Sequence, residues 1–147
     1  MNISNSEYGE LAKKRSPASA MYKTIPMAFL IGGGICTIGE ALLNLYGALG
    51  LSQDDAGALT SMSLIFLSVL LTGFKLYDRI AQVGGAGSLV PITGFANAVS
   101  SPAVEFKSEG FVLGLGAKMF IIAGPVIVYG ISASIIYGII YYIIGLF

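Results

Sequence analysis

Residues 80–118 read IAQVGGAGSLVPITGFANAVSSPAVEFKSEGFVLGLGAK, and this stretch decides the fold. From 80 to 104 it carries no charge, and it is long enough to cross a bilayer. It is nevertheless filled with Gly, Ser, Pro, Thr and Asn, whereas a lipid-facing helix is written mainly in Leu, Ile, Val and Phe. A turn exposed to water would not be this free of charge. The pattern predicts a broken helix that enters the membrane and returns. Non-helical backbone is tolerated at that depth only when it is buried in protein or lines a water-filled cavity. Function is therefore expected here.

Apolar sequence flanks this stretch on both sides. The 147-residue chain is 55% apolar and 11% charged, against roughly a quarter charged in soluble domains. Eight Lys and Arg balance eight Asp and Glu, so net charge points to neither nucleic acid nor an acidic partner. There is no His, the commonest acid–base catalyst and metal ligand. No nucleophile–base pair, metal-ligand cluster or phosphate loop is legible. The GGAG run at 84–87 follows no predicted strand and is read as a breakpoint, not a nucleotide fingerprint. Neither catalysis nor a metal or other cofactor is expected. The single Cys36 lies in an apolar run and reads as a small hydrophobe.

The predicted architecture is an all-α membrane protein. It has three transmembrane helices and a broken re-entrant helical hairpin between the second and third. Residues 1–24 form a polar arm with a short helix near 8–15, ended by Ser16-Pro17. The basic run 13–15 can touch anionic head groups. Residues 25–147 form one membrane domain, with spans at about 25–51, 56–77 and 119–147 and the hairpin at 80–118. Thr24 and Pro26 read as N-cap and first-turn Pro of the first span. Asp54 and Asp55 suit the positive end of the second. Pro125 is expected to kink the third.

Some positions stand out within the spans. Glu40 puts an acid near the middle of the first span, a cost of roughly 2.5–3.5 kcal/mol on insertion scales. It is expected to face the bundle interior or a wet cavity, with Asn44 one turn on along the same face. A pore-lining carboxylate is preferred to a protonated acid bonded to a neighbouring helix. Small residues spaced by four, Gly32/Cys36 and Gly33/Thr37/Ala41, invite close helix approach, as do Gly130, Ser134 and Gly138 in the last span. Tyr137, Tyr141 and Tyr142 fit an interfacial aromatic belt.

With the hairpin returning to its own side, all eight cations (13, 14, 15, 23, 75, 79, 107 and 118) share one face. The other loop carries Asp54 and Asp55. The positive-inside rule then gives a cytoplasmic N-terminus. If 80–104 spanned instead, Lys107 and Lys118 would break the rule. Half-helix N-termini in the hairpin, with Lys107 and Lys118 at its mouth, would suit a small anionic or metal-chelated solute. The candidate pore or substrate residues are Glu40, Asn44, Gly87, Ser88, Pro91, Thr93, Gly94, Asn97, Lys107 and Lys118.

Five stretches also carry a resemblance: FLIGGGICTIGE (29–40), LTGFKLYDR (71–79), GAGSLVPITGFAN (85–97), SPAVEFKSEG (101–110) and GLGAKMFIIAGPVIVYG (114–130). Together they resemble the AC-type membrane proteins of the SpoVA group, the stage V sporulation proteins. The related AE type shares the VPITGFAN core, and the last of the five stretches favours AC. The resemblance implies an integral protein of the spore inner membrane. It implies passage of dipicolinic acid, as its calcium chelate, into the spore during sporulation and out during germination, through a mechanosensitive channel. It also implies partners within the group, a soluble AD-type subunit and a membrane AE-type subunit. A homo-oligomer is compatible with it. No family binding residues carry over, so the candidates above rest on the physical argument alone. The competing expectation is a structural membrane subunit that scaffolds a partner channel without lining a pore.

Overall fold

A computed structural model describes the backbone of residues 5–15 and 20–146, and the side chains of 7–12 and 20–146. All regular elements among the described residues are helical. In chain order they are α1 (Asn5–Arg15), α2 (Met21–Ala48), α3 (Gln53–Gly73) and α4 (Tyr77–Gly84), then a 3₁₀ turn (Gly85–Leu89). There follow α5 (Pro91–Glu105), a π-helical turn (Phe111–Gly116) and α6 (Ala117–Ile144). The expected short helix in the arm is α1; the Ser16-Pro17 stop and the side chains of the basic run 13–15 lie outside the described residues.

Three helices are long and apolar enough to cross a membrane: Met21–Ala48, Gln53–Gly73 and Phe111–Ile144. The first begins before the expected cap. Thr24 sits inside the opening turns, and its hydroxyl donates back to the Ala20 carbonyl at 3.3 Å. Pro26 lies within α2, where its missing N–H leaves only one carbonyl of the first turns unpaired. At the start of α3, Ser52 is the N-cap and accepts from the Asp55 N–H at 3.2 Å, while Asp54 and Asp55 occupy the first turn.

The last span starts at Phe111, not at residue 119. The π turn joins α6 directly, with the Leu115 N–H donating to the Gly110 carbonyl five residues back at 2.9 Å. The segment between the second and third of these long helices is therefore 74–110. It holds α4, the 3₁₀ turn and α5, a broken helical pair joined by an elbow at 85–90. Helix α6 continues through Pro125 to Ile144.

Both α2 and α3 end in the same six-residue hydrogen-bonded turn. In α2, Leu51 N–H meets the Tyr46 carbonyl and Gly50 N–H meets that of Gly47, with Gly50 at φ 88°. In α3, Leu76 N–H meets Leu71 and Lys75 N–H meets Thr72, but the left-handed residue is Lys75, at φ 57°. A side chain there costs roughly 1–2 kcal/mol relative to glycine.

The interior is small and hydroxylated. Buried apolar side chains are Ala56, Leu64, Tyr77, Ala96 and Ala123; buried polar ones are Thr60, Ser68, Thr72, Ser88, Thr93 and Ser100. Large residues such as Phe29, Phe66, Phe111 and Ile136 point outward. This inversion suits lipid, where no hydrophobic force gathers large residues and small ones allow close packing. Helix α3 supplies the central row, Ala56, Thr60, Leu64, Ser68 and Thr72, each one turn from the next. On one side it meets α2, where Leu64 reaches Gly39 and the Tyr46 hydroxyl lies 2.7 Å from Ser63 Oγ. On the other it meets α5.

Gly87 is where the elbow closes on α2. A Cβ at this position would overlap the Ala28 carbonyl oxygen and come within 2.7 Å of the Ala28 Cα. Gly87→Ala is expected to cost about 1–3 kcal/mol through overpacking against backbone. Gly34→Ala, on α2 with nothing within 4 Å of the added carbon, should be neutral or stabilising. Thermal unfolding midpoints of the two purified variants in detergent check this pair.

Candidate functional site: the elbow and the exposed face of the first span

The elbow gathers six of the ten residues singled out by sequence. Pro91 opens α5, where a missing N–H is harmless. Gly94 lies against the Leu89 backbone, with its added carbon 3.1 Å away, and Gly87 against Ala28. Ser88 is buried and donates to the Gly85 carbonyl at 2.8 Å, while the Ser88 carbonyl accepts from the Tyr77 hydroxyl at 2.7 Å. Thr93 is buried, and its carbonyl accepts from Ser68 Oγ at 2.7 Å. Asn97 pairs with Thr72 at 2.8 Å.

Thr72 Oγ1 also lies 2.7 Å from the Ser68 carbonyl. One hydroxyl proton cannot serve both acceptors. Turning the Asn97 amide so that Nδ2 faces Thr72 satisfies the pair: Thr72 donates to Ser68 and accepts from Asn97. The Ser68–Thr93 and Thr72–Asn97 bonds advance together along both helices, so α3 and α5 run parallel, with α4 and the elbow returning the chain between them.

Sequence reasoning placed Ser88, Thr93 and Asn97 among the pore or substrate residues, and the structure gives each an internal partner. It missed those partners, Ser68, Thr72 and Tyr77. The signal for two of them was present, as a hydroxyl-bearing row at four-residue spacing in the second span. The cavity beside the elbow is an open groove of about 810 Å³ between α3, α5 and α6. Ile65, Val69, Phe95, Val99, Ile122 and Val126 dominate its walls. Such a lining suits hydrocarbon better than a carboxylate.

The other four candidates lie elsewhere. Against the sequence expectation of an inward face, Glu40 and Asn44 do not face the interior of this chain; they are exposed on α2, and Asn44 Nδ2 donates to Glu40 Oε1 at 3.1 Å. The packing face of α2 is set by Ile31, Gly32, Ile35, Gly39 and Leu42, which turns Glu40 away. Gly33, Cys36, Thr37, Ala41 and Asn44 are exposed beside it. Lys107 is exposed, and Lys118 is half-buried with Nζ 4.7 Å from the centre of the Phe106 ring. The expected packing row Gly130, Ser134 and Gly138 meets nothing in this protomer: it is exposed, and a carbon added at either glycine has open space. Among the described residues no group of three Cys, Asp or Glu could hold a metal ion.

Three spanning helices, an elbow of GAGSLVPITGFAN and a small-residue interior now stand beside the comparisons with known proteins. The family model for the SpoVAC/SpoVAEB sporulation membrane protein matches residues 24–140. The chain belongs to this family. Stage V sporulation protein AC of Bacillus subtilis (strain 168) is 54% identical over 114 residues, covering 77% of this chain and 76% of that protein. No solved structure matches. The SpoVAC/SpoVAEB match runs from the first turns of α2 to near the end of α6 and includes the whole elbow. It leaves out α1.

The seam between α3 and α5 is testable as a unit. Thr72→Val and Asn97→Leu are each expected to destabilise the protein, with a coupling energy near 0.6 kcal/mol and no more than about 1.7, the range of interhelical bonds in membranes. A double-mutant cycle on unfolding in detergent measures it, and strictly additive losses would mean that the two side chains do not meet.

Proposed function

We propose that this chain is a channel subunit that passes dipicolinic acid, as its calcium chelate, across the spore inner membrane. Loading occurs during sporulation and release in germination. Membership in a sporulation membrane family supports the setting. The observation that carries the channel reading is the Glu40–Asn44 pair, a carboxylate and an amide exposed on an otherwise apolar span. An acid at membrane depth is costly unless it meets water or a partner, and such residues mark ion and solute pathways.

The pore in this reading lies between subunits. Inside the protomer the polar groups of the elbow are engaged with one another, and the groove beside it is apolar. The exposed row of α2 offers Gly33, Thr37, Glu40 and Asn44 to a shared axis. The chelate is formally neutral, because the calcium charge cancels the two carboxylates. A ring of Glu40 side chains therefore attracts the metal end without repelling the whole solute. Membrane tension that spreads the subunits would widen such a pore, which is how mechanosensitivity enters.

The N-terminus is cytoplasmic by the charge argument, and 77–105 returns to that side as a re-entrant hairpin. A soluble AD-type subunit and a membrane AE-type subunit complete the assembly. The second reading, a scaffold without a pore, draws on α6, whose outer half is exposed throughout and offers a large surface to a partner.

Purified protein in liposomes separates the two readings. The channel reading expects stretch-activated conductance without partners. Glu40→Gln should lower calcium dipicolinate flux about tenfold, the scale of one hydrogen bond to a charged group. In a Cys36→Ala background, cysteines at 37, 40 and 44 should be blocked by a water-soluble thiol reagent. Cysteines at 35 and 42, on the packing face, should not. A silent membrane under tension, with all five positions unreactive, would favour the scaffold.

A further inference from the structure

We infer that the groove between α3, α5 and α6 is a binding site for one anionic phospholipid. Its acyl chain lies along the groove and its head group sits at Lys118. The walls come from three helices, so the groove is a built feature and not the ordinary gap beside a single span. Helices α3 and α6 meet mainly through α5, and α5 spans only Pro91–Glu105. A wedge beside α5 is thus left open for the outer part of α6. Phe95 and Val99 form one wall, and Ile65 and Val69 another. In a bilayer a hydrocarbon tail fills such a wedge.

Head-group preference comes from the foot of the groove. Lys118, Ile122 and Val126 are spaced by four on α6, so the row that lines the groove runs directly onto the lysine. On α5 the row Val99, Pro102 and Phe106 descends to the same place. The two rows converge where Lys118 Nζ lies over the Phe106 ring. Among the described residues no carboxylate pairs with Lys118, so its charge is left for an outside anion. The ring holds the ammonium of this half-buried lysine, and a lysine stem on apolar surface can carry its head to the interface. Exposed Lys107 stands in the neighbouring turn. An apolar channel that ends at a held cation fits a phospholipid with a net negative head group.

The test uses the full chain in detergent, titrated with dioleoylphosphatidylglycerol or dioleoylphosphatidylcholine. Bound lipid is counted by native mass spectrometry and the unfolding midpoint is followed in parallel. Wild type should hold one phosphatidylglycerol about fivefold more tightly than phosphatidylcholine, the equivalent of about 1 kcal/mol for one lysine at the interface. Lys118→Gln should abolish that preference while a lipid still binds, and Lys118→Arg should restore it. Val126→Trp should expel the lipid with helix content unchanged; if that variant does not insert, Ile122→Phe is read in its place. Equal affinity for the two lipids in wild type, or an unchanged preference in Lys118→Gln, overturns the proposal. So does a lipid-free dimer that Val126→Trp splits, because the groove would then seat a second copy of the chain.

Discussion

A bilayer offers no hydrogen bonds, and the structure follows from that constraint. Every hydroxyl placed at depth must find an acceptor within the protein. Ser68 finds the Thr93 carbonyl, Tyr77 finds that of Ser88, Ser100 finds that of Ala96, and Thr60 turns back to Ala56. Among the described residues, no buried side-chain nitrogen or oxygen lacks a partner. These bonds do two things at once. All of them neutralise the cost of polar atoms in hydrocarbon, and the ones that cross between helices, Ser68 to Thr93 and Thr72 with Asn97, also fix the register of α5 on α3. The elbow can break its helix at 85–90 because Tyr77 and Ser88 supply partners for its carbonyls.

Close packing is the second half of the same solution. Where association gains nothing from expelling water, helices must touch over small side chains. Alanine, serine and threonine along α3, and glycines where α2 meets the elbow, let backbones approach. The result is a three-layer arrangement, with α2 on one side of α3 and α5 on the other, and with α6 held mainly by α5 and the π turn. Stability is thus unevenly spread. The α2–α3–elbow unit is pinned by bonds and contacts, whereas the outer half of α6 relies on whatever surrounds it.

Much of this was legible in the sequence. Long apolar runs pointed to three membrane-length helices, and the clash between length and composition in 80–118 located the break. What escaped had physical reasons. Lys118 was read as the edge of the last span, but a lysine resting on an aromatic ring does not end a helix, so α6 and its π turn begin at Phe111. Glu40 was expected inside, yet a helix turns its best packing face inward, and here that face is Ile31, Ile35 and Leu42. Ser88, Thr93 and Asn97 look in sequence like free donors; only the fold supplies their partners. The row Gly130, Ser134 and Gly138 is a packing face by spacing alone, and spacing does not say against which chain.

The π turn at Phe111–Gly116 gives the last span a mechanical property of its own. Its bonds reach back five residues, so it stores one residue more than an α-helix of the same register would need. Tightening it to the four-residue pattern would release that residue, turning everything downstream by about 100° and advancing it by about 1.5 Å. The inner half of α6 holds it against that turn, because Ala123 is buried and Lys118 rests on the Phe106 ring, both downstream of the π turn. The extra residue is a phase setting for the span. It decides which side of α6 meets α5 and which side, with Gly130, Ser134 and Gly138, is left facing outward.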